Sequence, residues 1–315
     1  MYRKPVKLNP VFKDYLWGGT KLKTEFKKKT DLDIVAESWE LSAHKDGQST
    51  IIGGEFDGLT LMEFMDACGK ETLGSKAAAF DYFPILIKLI DAKNDLSVQV
   101  HPDDAYALKV EGEYGKTEMW YVLDCEKDAA LYYGFSKEIT EEEYRQAIAN
   151  NTLTDCLNRV PVSKGDVFFI PAGTVHAIGA GILICEIQQN SNTTYRVYDY
   201  NRKDKNGNTR ELHVEKAIAV SDLKPAPKRE PIADGERSVL ASCSYFTVER
   251  LRVNGTIELN VDKTSFQSLM VTEGAGELLF DGETLSISKG DSVLIPAIDA
   301  TYQINGNCEI ILSYL

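Results

Sequence analysis

The run Gln99-Val-His101 puts an amide and an imidazole at alternate positions of a strand-like segment. Residues i and i+2 of a strand face the same way, so both side chains can enter one cavity. Pro102 ends the segment, a polar excursion runs to Gly115, and the chain returns as Lys116-Thr-Glu118-Met-Trp120-Tyr. Glu118 and Trp120 share a face there. A carboxylate buried beside an apolar run needs a compensating charge, and a cation supplies one.

Downstream, Gly165-x5-Pro171-x-Gly173-x2-His176 matches the second half of the metal-binding signature of the cupin family at all three spacings. Ala180 stands where that pattern has asparagine. Cupins generally draw further ligands from an upstream H-x-H…E segment, whose place is taken here by Gln99-Val-His101 and Glu118. The resemblance implies a His2Glu set of His101, His176 and Glu118. Such a set suits zinc and leaves positions open for water or substrate, with Gln99 as a weaker fourth ligand.

The elements that must carry these residues are mostly strands. Residues 85–90, 96–100, 119–123, 167–170, 182–187, 266–271, 292–295 and 309–312 are short, apolar and mostly rich in β-branched residues, with turn residues between them. Thr60-Leu-Met-Glu63 and Thr140-Glu-Glu-Glu143 read as capping boxes opening helices through about Cys68 and Ala149. A further short helix is expected at 152–158 and a helix start after Pro102. The pattern predicts a mainly β fold of two cupin-like, jelly-roll-type barrels, with helical insertions near 60–80, 103–115 and 138–160. Pro225, Pro227 and Pro231 mark residues 224–237 as a linker between a metal-binding unit, 1–223, and a C-terminal β unit, 238–315.

An internal repeat supports two units. Val162-Ser-Lys-Gly-Asp-Val-Phe-Phe-Ile-Pro-Ala172 resembles Ile287-Ser-Lys-Gly-Asp-Ser-Val-Leu-Ile-Pro-Ala297. The constant offset sets Thr301 opposite His176, so the second unit lacks the histidine ligand.

Among 315 residues, 35 Lys and Arg stand against 48 Asp and Glu, a net charge of −13. That balance disfavours sequence-independent nucleic-acid binding and an anionic membrane surface. The six cysteines are scattered with no C-x-x-C pair, which argues against a thiolate zinc site or a disulfide framework. The apolar stretch 167–185 is broken by glycines, Pro171 and His176, so no membrane span is expected. No secretory signal is expected in MYRKPVKLNP, and the reading is a cytoplasmic protein with no obligate protein partner. Neither a P-loop nor a dinucleotide-binding turn occurs.

Taken together, Gln99-Val-His101-Pro-Asp-Asp104, Gly115-Lys-Thr-Glu118-Met-Trp120, Gly173-Thr-Val-His176 and Asn192-Thr-Thr-Tyr-Arg196-Val-Tyr-Asp199 resemble the type I mannose-6-phosphate isomerases in their short bacterial form. Tyr15-Leu-Trp17-Gly-Gly19 and Ala36-Glu-Ser-Trp-Glu40 also fit, and the C-terminal part resembles the family only in its β character. The resemblance implies a zinc-dependent aldose–ketose isomerase acting on mannose 6-phosphate and fructose 6-phosphate, with one Zn2+ per chain. It assigns the zinc to Gln99, His101, Glu118 and His176, the active-site arginine to Arg196, and the positions beside the ligands to Lys116 and Glu186. Glu186, Lys116, a ligand histidine and zinc-bound water all stay open as the base, with Glu186 preferred for acid/base or positioning work. Arg196, Arg202, Lys88 and Lys116 are the cations available to a phosphate, although Arg202 and Lys88 read as surface residues. His44 and His213 read as bland, His44 in a surface turn. Another metal-dependent cupin enzyme, an oxygenase or epimerase, and a non-catalytic sugar-phosphate sensor are the competing readings.

Overall fold

The computed structural model describes residues 2–203, 206–229 and 231–315; Met1, Asp204, Lys205 and Glu230, the last within 224–237, lie outside the described residues. Among the described residues the strands form three large sheets and one small hairpin. A six-stranded sheet runs in the order Val167–Ile170, Glu118–Cys125, Ile182–Gln189, Ile85–Ala92, Glu37–Leu41, Val11–Lys13. A five-stranded sheet follows the order Leu157–Pro161, Ala130–Phe135, His176–Ala177, Val98–Val100, Tyr195–Tyr198. The third, of eight strands, holds the C-terminal strands together with Val6–Asn9 and Thr50–Ile52. The fold is mainly β, with the sheets stacked in a jelly-roll manner. Each sheet ends on open edges, so the expected barrels are not closed by hydrogen bonds.

The six-stranded sheet is buried on both faces, and strand alternation sorts its side chains. Ile87, Leu89, Met119, Tyr121, Cys185 and Ile187 join Val248, Met270, Leu294 and Ile311 of the eight-stranded sheet in one core. Ile90, Trp120, Val122 and Ile184 turn the other way, toward Leu131 and Tyr133 of the five-stranded sheet. Each fully buried aliphatic side chain in these layers contributes roughly 1.5–3 kcal/mol. The outer face of the five-stranded sheet lies under helices Glu141–Ala149 and Val214–Val220, through Val98, Val100, Ala177 and Val197 against Tyr144 and Ile218. Its inner face carries Leu131 and Tyr133 on one strand and the polar Gln99, His176 and Arg196 on the strands beyond.

Both capping boxes form. Thr60 and Glu63 cap Leu61–Cys68, and Thr140 and Glu143 cap Glu141–Ala149. Asp103 caps Asp104–Val110. The helix expected at 152–158 shortens to Leu153–Cys156, because Leu157–Pro161 pairs as an edge strand beside Ala130–Phe135. The C-terminal strands are far longer than their apolar runs. Gln267–Phe280 and Ala300–Tyr314 extend through polar and glycine-containing segments because they pair with each other along most of their length.

The repeated turns have the same geometry. The Ser163 N–H donates to Asp166 Oδ2 at 2.8 Å, as the Ser288 N–H does to Asp291 Oδ2 at 2.8 Å. Gly165 and Gly290 adopt φ of +92° and +95°, a region that L side chains enter only with strain. No helix of the described residues is long and apolar enough to cross a membrane.

Candidate metal centre and active-site cavity

Strand register assembles the site. On the inner face of the five-stranded sheet, Gln99 pairs with His176 on one side and Arg196 on the other. On the facing sheet, Glu186 lies between Lys88 and Trp120, and Glu118 sits opposite Gln188 two pairs along. His101 follows directly after Val98–Val100. The two sheets therefore aim an amide, two imidazoles and two carboxylates at one interior point.

His101, Glu118 and His176 are each at most 1% exposed, and one ligand atom from each lies within 4.8 Å of the others. Glu118 Oε1 is 3.2 Å from His176 Nε2, and Oε2 is 3.7 Å from His101 Nε2. Donors about 2.1 Å from one tetrahedral ion would stand roughly 3.4 Å apart. The ring protons are fixed by what faces Nδ1. His101 Nδ1 lies 2.9 Å from the Thr193 carbonyl and His176 Nδ1 lies 2.8 Å from the Thr174 carbonyl. A carbonyl only accepts, so each Nδ1 carries hydrogen and each Nε2 keeps a lone pair on the Glu118 side, where His101 Nε2 accepts from Lys116 Nζ at 3.2 Å. Neither Glu118 oxygen has a partner in hydrogen-bonding geometry, although Lys116 Nζ lies 2.6 Å from Oε2. Two lone pairs converging on a buried, under-bonded carboxylate form an electron-rich pocket that a divalent cation fits. The side-chain nitrogen of Gln99, Nε2, completes the ring 3.5 Å from His176 Nε2. Gly173, at φ +90°, ties the two ligand segments together by donating its N–H to the His101 carbonyl at 2.8 Å.

Burial dominates the ionisation of these groups. It pushes His101 well below the usual histidine range, reinforced by Lys116 and His176, and brings His176 down to about 4. Burial also pushes Glu118 up, against the pull of Lys116. Glu186 behaves in the opposite sense. Burial would raise it, but Lys116, Lys88 and the Trp120 N–H, which donates to Oε2 at 2.8 Å, hold it low. For Lys88, burial pulls the ammonium down, but Glu37, Glu186 and Glu118 outweigh that and keep it charged.

The ligand set opens on a cavity of about 290 Å³ lined by Gln99, Lys116, Glu186, Lys88, Trp17 and Arg196, among others. Arg196 donates from Nε to Ser97 Oγ at 3.3 Å and from Nη1 to the Glu211 carbonyl at 3.1 Å. Its neighbours Arg202 and Arg210 are both held by Asp199. Among the described residues no carboxylate lies within ion-pair distance of Arg196, so its charge stays available to a ligand.

The structure thus brings Gln99, His101, Glu118, His176, Lys116, Glu186 and Arg196 to one place, while Arg202 stays on Asp199 outside the cavity lining. It overturns the surface reading of Lys88. That residue is 4% exposed and lies on the cavity side of a strand buried on both faces. The signal was present, since a single lysine inside Ile85–Ile90 has to find carboxylates if the strand is buried. His44 is likewise buried, with its ring edge against Trp39, not in a surface turn. Sequence reasoning passed over Glu37, Asn192 and Arg210, which also line the cavity.

Comparison with known proteins agrees with this geometry. Residues 6–129 match the family model for phosphomannose isomerase type I, catalytic domain, and residues 236–315 match that for mannose-6-phosphate isomerase, cupin domain. The second match shows that the C-terminal part carries family character beyond its β content. A mannose-6-phosphate isomerase of Bacillus subtilis is 41% identical, with 100% of each chain covered. One from Streptococcus mutans is 39% identical over 99% of this chain and 98% of the relative. The crystal structure of a Bacillus subtilis mannose 6-phosphate isomerase superposes with a TM-score of 0.91 at 37% identity, covering 99% of this chain and 100% of that one. The chain belongs to the type I phosphomannose isomerase family.

Proposed function

We propose that this chain interconverts mannose 6-phosphate and fructose 6-phosphate, using one zinc ion held by Gln99, His101, Glu118 and His176. The observation that carries the proposal is the convergence of two imidazole lone pairs on the under-bonded Glu118 carboxylate, at the wall of a cavity that also holds the unpaired Arg196. Zinc held by these residues would supply Lewis-acid polarisation of the sugar oxygens.

The protein's own groups do the rest. Moving a proton between C1 and C2 builds negative charge on the sugar oxygens. Arg196, fixed by Ser97 and the Glu211 carbonyl, donates to those oxygens from a preset position. Lys116 reaches the cavity beside the ligands, with Nζ 3.2 Å from His101 Nε2, and directs an ammonium at the reacting end of the sugar. Glu186 holds Lys88 at 3.2 Å and Lys116 at 3.8 Å. Its buried charge keeps both ammonium groups in place, which is the positioning half of the role assigned to it. The chemistry falls within residues 1–223, and 238–315 covers the apolar back of the six-stranded sheet.

A coupled assay following fructose 6-phosphate formation from mannose 6-phosphate, together with elemental analysis of the purified protein, tests this reading. Turnover with about one zinc per chain supports it. Absence of turnover after zinc is restored overturns it in favour of another metal-dependent activity or a sugar-phosphate sensor.

A further inference from the structure

The largest cleft described here lies apart from the catalytic cavity. It has a volume of about 930 Å³ and shares no lining residue with the cavity at Gln99 and Glu186. Its walls are the edge strand Leu157–Pro161, the Lys164–Val167 turn, the segment around Lys228 and Arg229, and the strand that carries Arg250 and Arg252. Six cations, Arg159, Lys164, Lys228, Arg229, Arg250 and Arg252, line it against two carboxylates, Asp166 and Asp234. In a chain of net charge −13, so local a reversal of sign concentrates potential for an anion.

The pairing of these cations leaves capacity unused. Arg250 is 5% exposed; its Nη2 donates to Asp234 and Ser238, but its Nε has no hydrogen-bond partner. A buried guanidinium nitrogen left without a partner costs free energy. Arg250 and Arg252 share one oxygen of Asp234, a carboxylate that is 78% exposed and a weak, displaceable counter-charge, and Arg252 Nε also lies 3.6 Å from Glu309 Oε2. Arg229 is held in place over the Phe168 ring at 4.2 Å and lies 3.4 Å from Asp166. Lys164 is paired with Glu273. Among the described residues, Arg159 and Lys228 have no carboxylate within ion-pair distance. The wall between the cations is apolar, with Val160, Pro161 and Ile232.

We infer that this cleft is a second ligand site, one that takes a phosphate ester carrying several negative charges and a ring-sized organic part. Arginine forks match phosphate oxygens two at a time, and the cation number exceeds what one monophosphate needs. The volume exceeds what inorganic phosphate fills and lies in the range of small-molecule sites. The Val160–Pro161 wall gives the organic part an apolar surface to cover.

The test is calorimetric titration of the metal-loaded full chain with ATP and, separately, with inorganic tripolyphosphate, with metal content measured before and after. Saturable binding of one ATP per chain is expected, with tripolyphosphate weaker and both weakened by added salt. The double variant Arg159→Ala/Lys228→Ala, changed only at exposed side chains, should weaken ATP by about tenfold or more. His176→Ala should bind ATP as the unaltered chain does, which separates this cleft from the metal. No saturable binding, an unchanged double variant, or loss of binding in His176→Ala would each overturn the inference. Tripolyphosphate binding as tightly as ATP would overturn the organic half of it.

Discussion

Lys88 and Glu186 are direct cross-strand partners, with Nζ 3.2 Å from Oε1, and they are 4% and 3% exposed. Both belong to strands whose opposite faces form the main apolar core. Removing Lys88 leaves the buried Glu186 charge with only Lys116 at 3.8 Å and the Trp120 N–H, and breaking a buried pair typically costs about 3–5 kcal/mol. Lys88→Ala is therefore expected to lower the unfolding free energy of metal-saturated protein by that order, read as a lower urea midpoint at unchanged slope. Combining Lys88→Met with Glu186→Gln should recover part of the loss. A Lys88→Ala midpoint equal to wild type would show that the pair carries no such energy.

His176→Ala removes the ligand that stands nearest to Glu118. Bound zinc and turnover should fall together, and elemental analysis on the same preparation used for kinetics checks both. Full turnover without bound metal would refute the ligand assignment.

Arg196→Ala should keep its metal and lose turnover by about 10²-fold or more, since it takes away a preset donor to developing charge. Melting temperature and zinc content measured alongside separate this outcome from misfolding. An unfolded, zinc-free variant would make Arg196 structural.

Asp199 carries a pH prediction. Burial would raise its carboxyl, but the hydrogen bonds from Arg210 and Arg202 outweigh that and hold it below the ordinary aspartate value. An acid lowered on folding contributes stability above its unfolded value of about 3.9, and the contribution disappears as pH falls through the lower folded value. Asp199→Asn should melt below wild type at pH 7, and the two melting curves should converge as pH drops under about 4. A constant gap between them from pH 7 to pH 3 would contradict the pairing.

How far the sequence was legible depends on the range of the cause. The capping boxes at Thr60 and Thr140 and the strand Val167–Ile170 rest on neighbouring residues, and they appear in the structure with nearly the expected bounds. The convergence of His101, Glu118 and His176 was legible through the cupin resemblance, with strand alternation placing Gln99 beside His101. The burial of Lys88 was legible only in part: its place inside an apolar run demands partners if the strand is buried, but the sheet that covers its face comes from distant parts of the chain. The pairing of Val6–Asn9 with Ser292–Ile295 was equally hidden, because neither segment's own pattern names its partner across the chain. The long C-terminal strands escaped notice for a related reason. Their polar residues are held extended by a neighbouring strand and not by their own propensity.

The Ser-Lys-Gly-Asp turn leads toward His176 in one half of the molecule and toward Thr301, bonded to Asn260, in the other. Since Ser288 and Asp291 hold the turn where no ligand histidine follows, its shape needs no metal. The loop ahead of His176 is then ready before any ion arrives, so loading should be a late docking event and not a step in folding. A chelator should leave an inactive chain whose far-ultraviolet circular dichroism is native and whose turnover returns when zinc is added back.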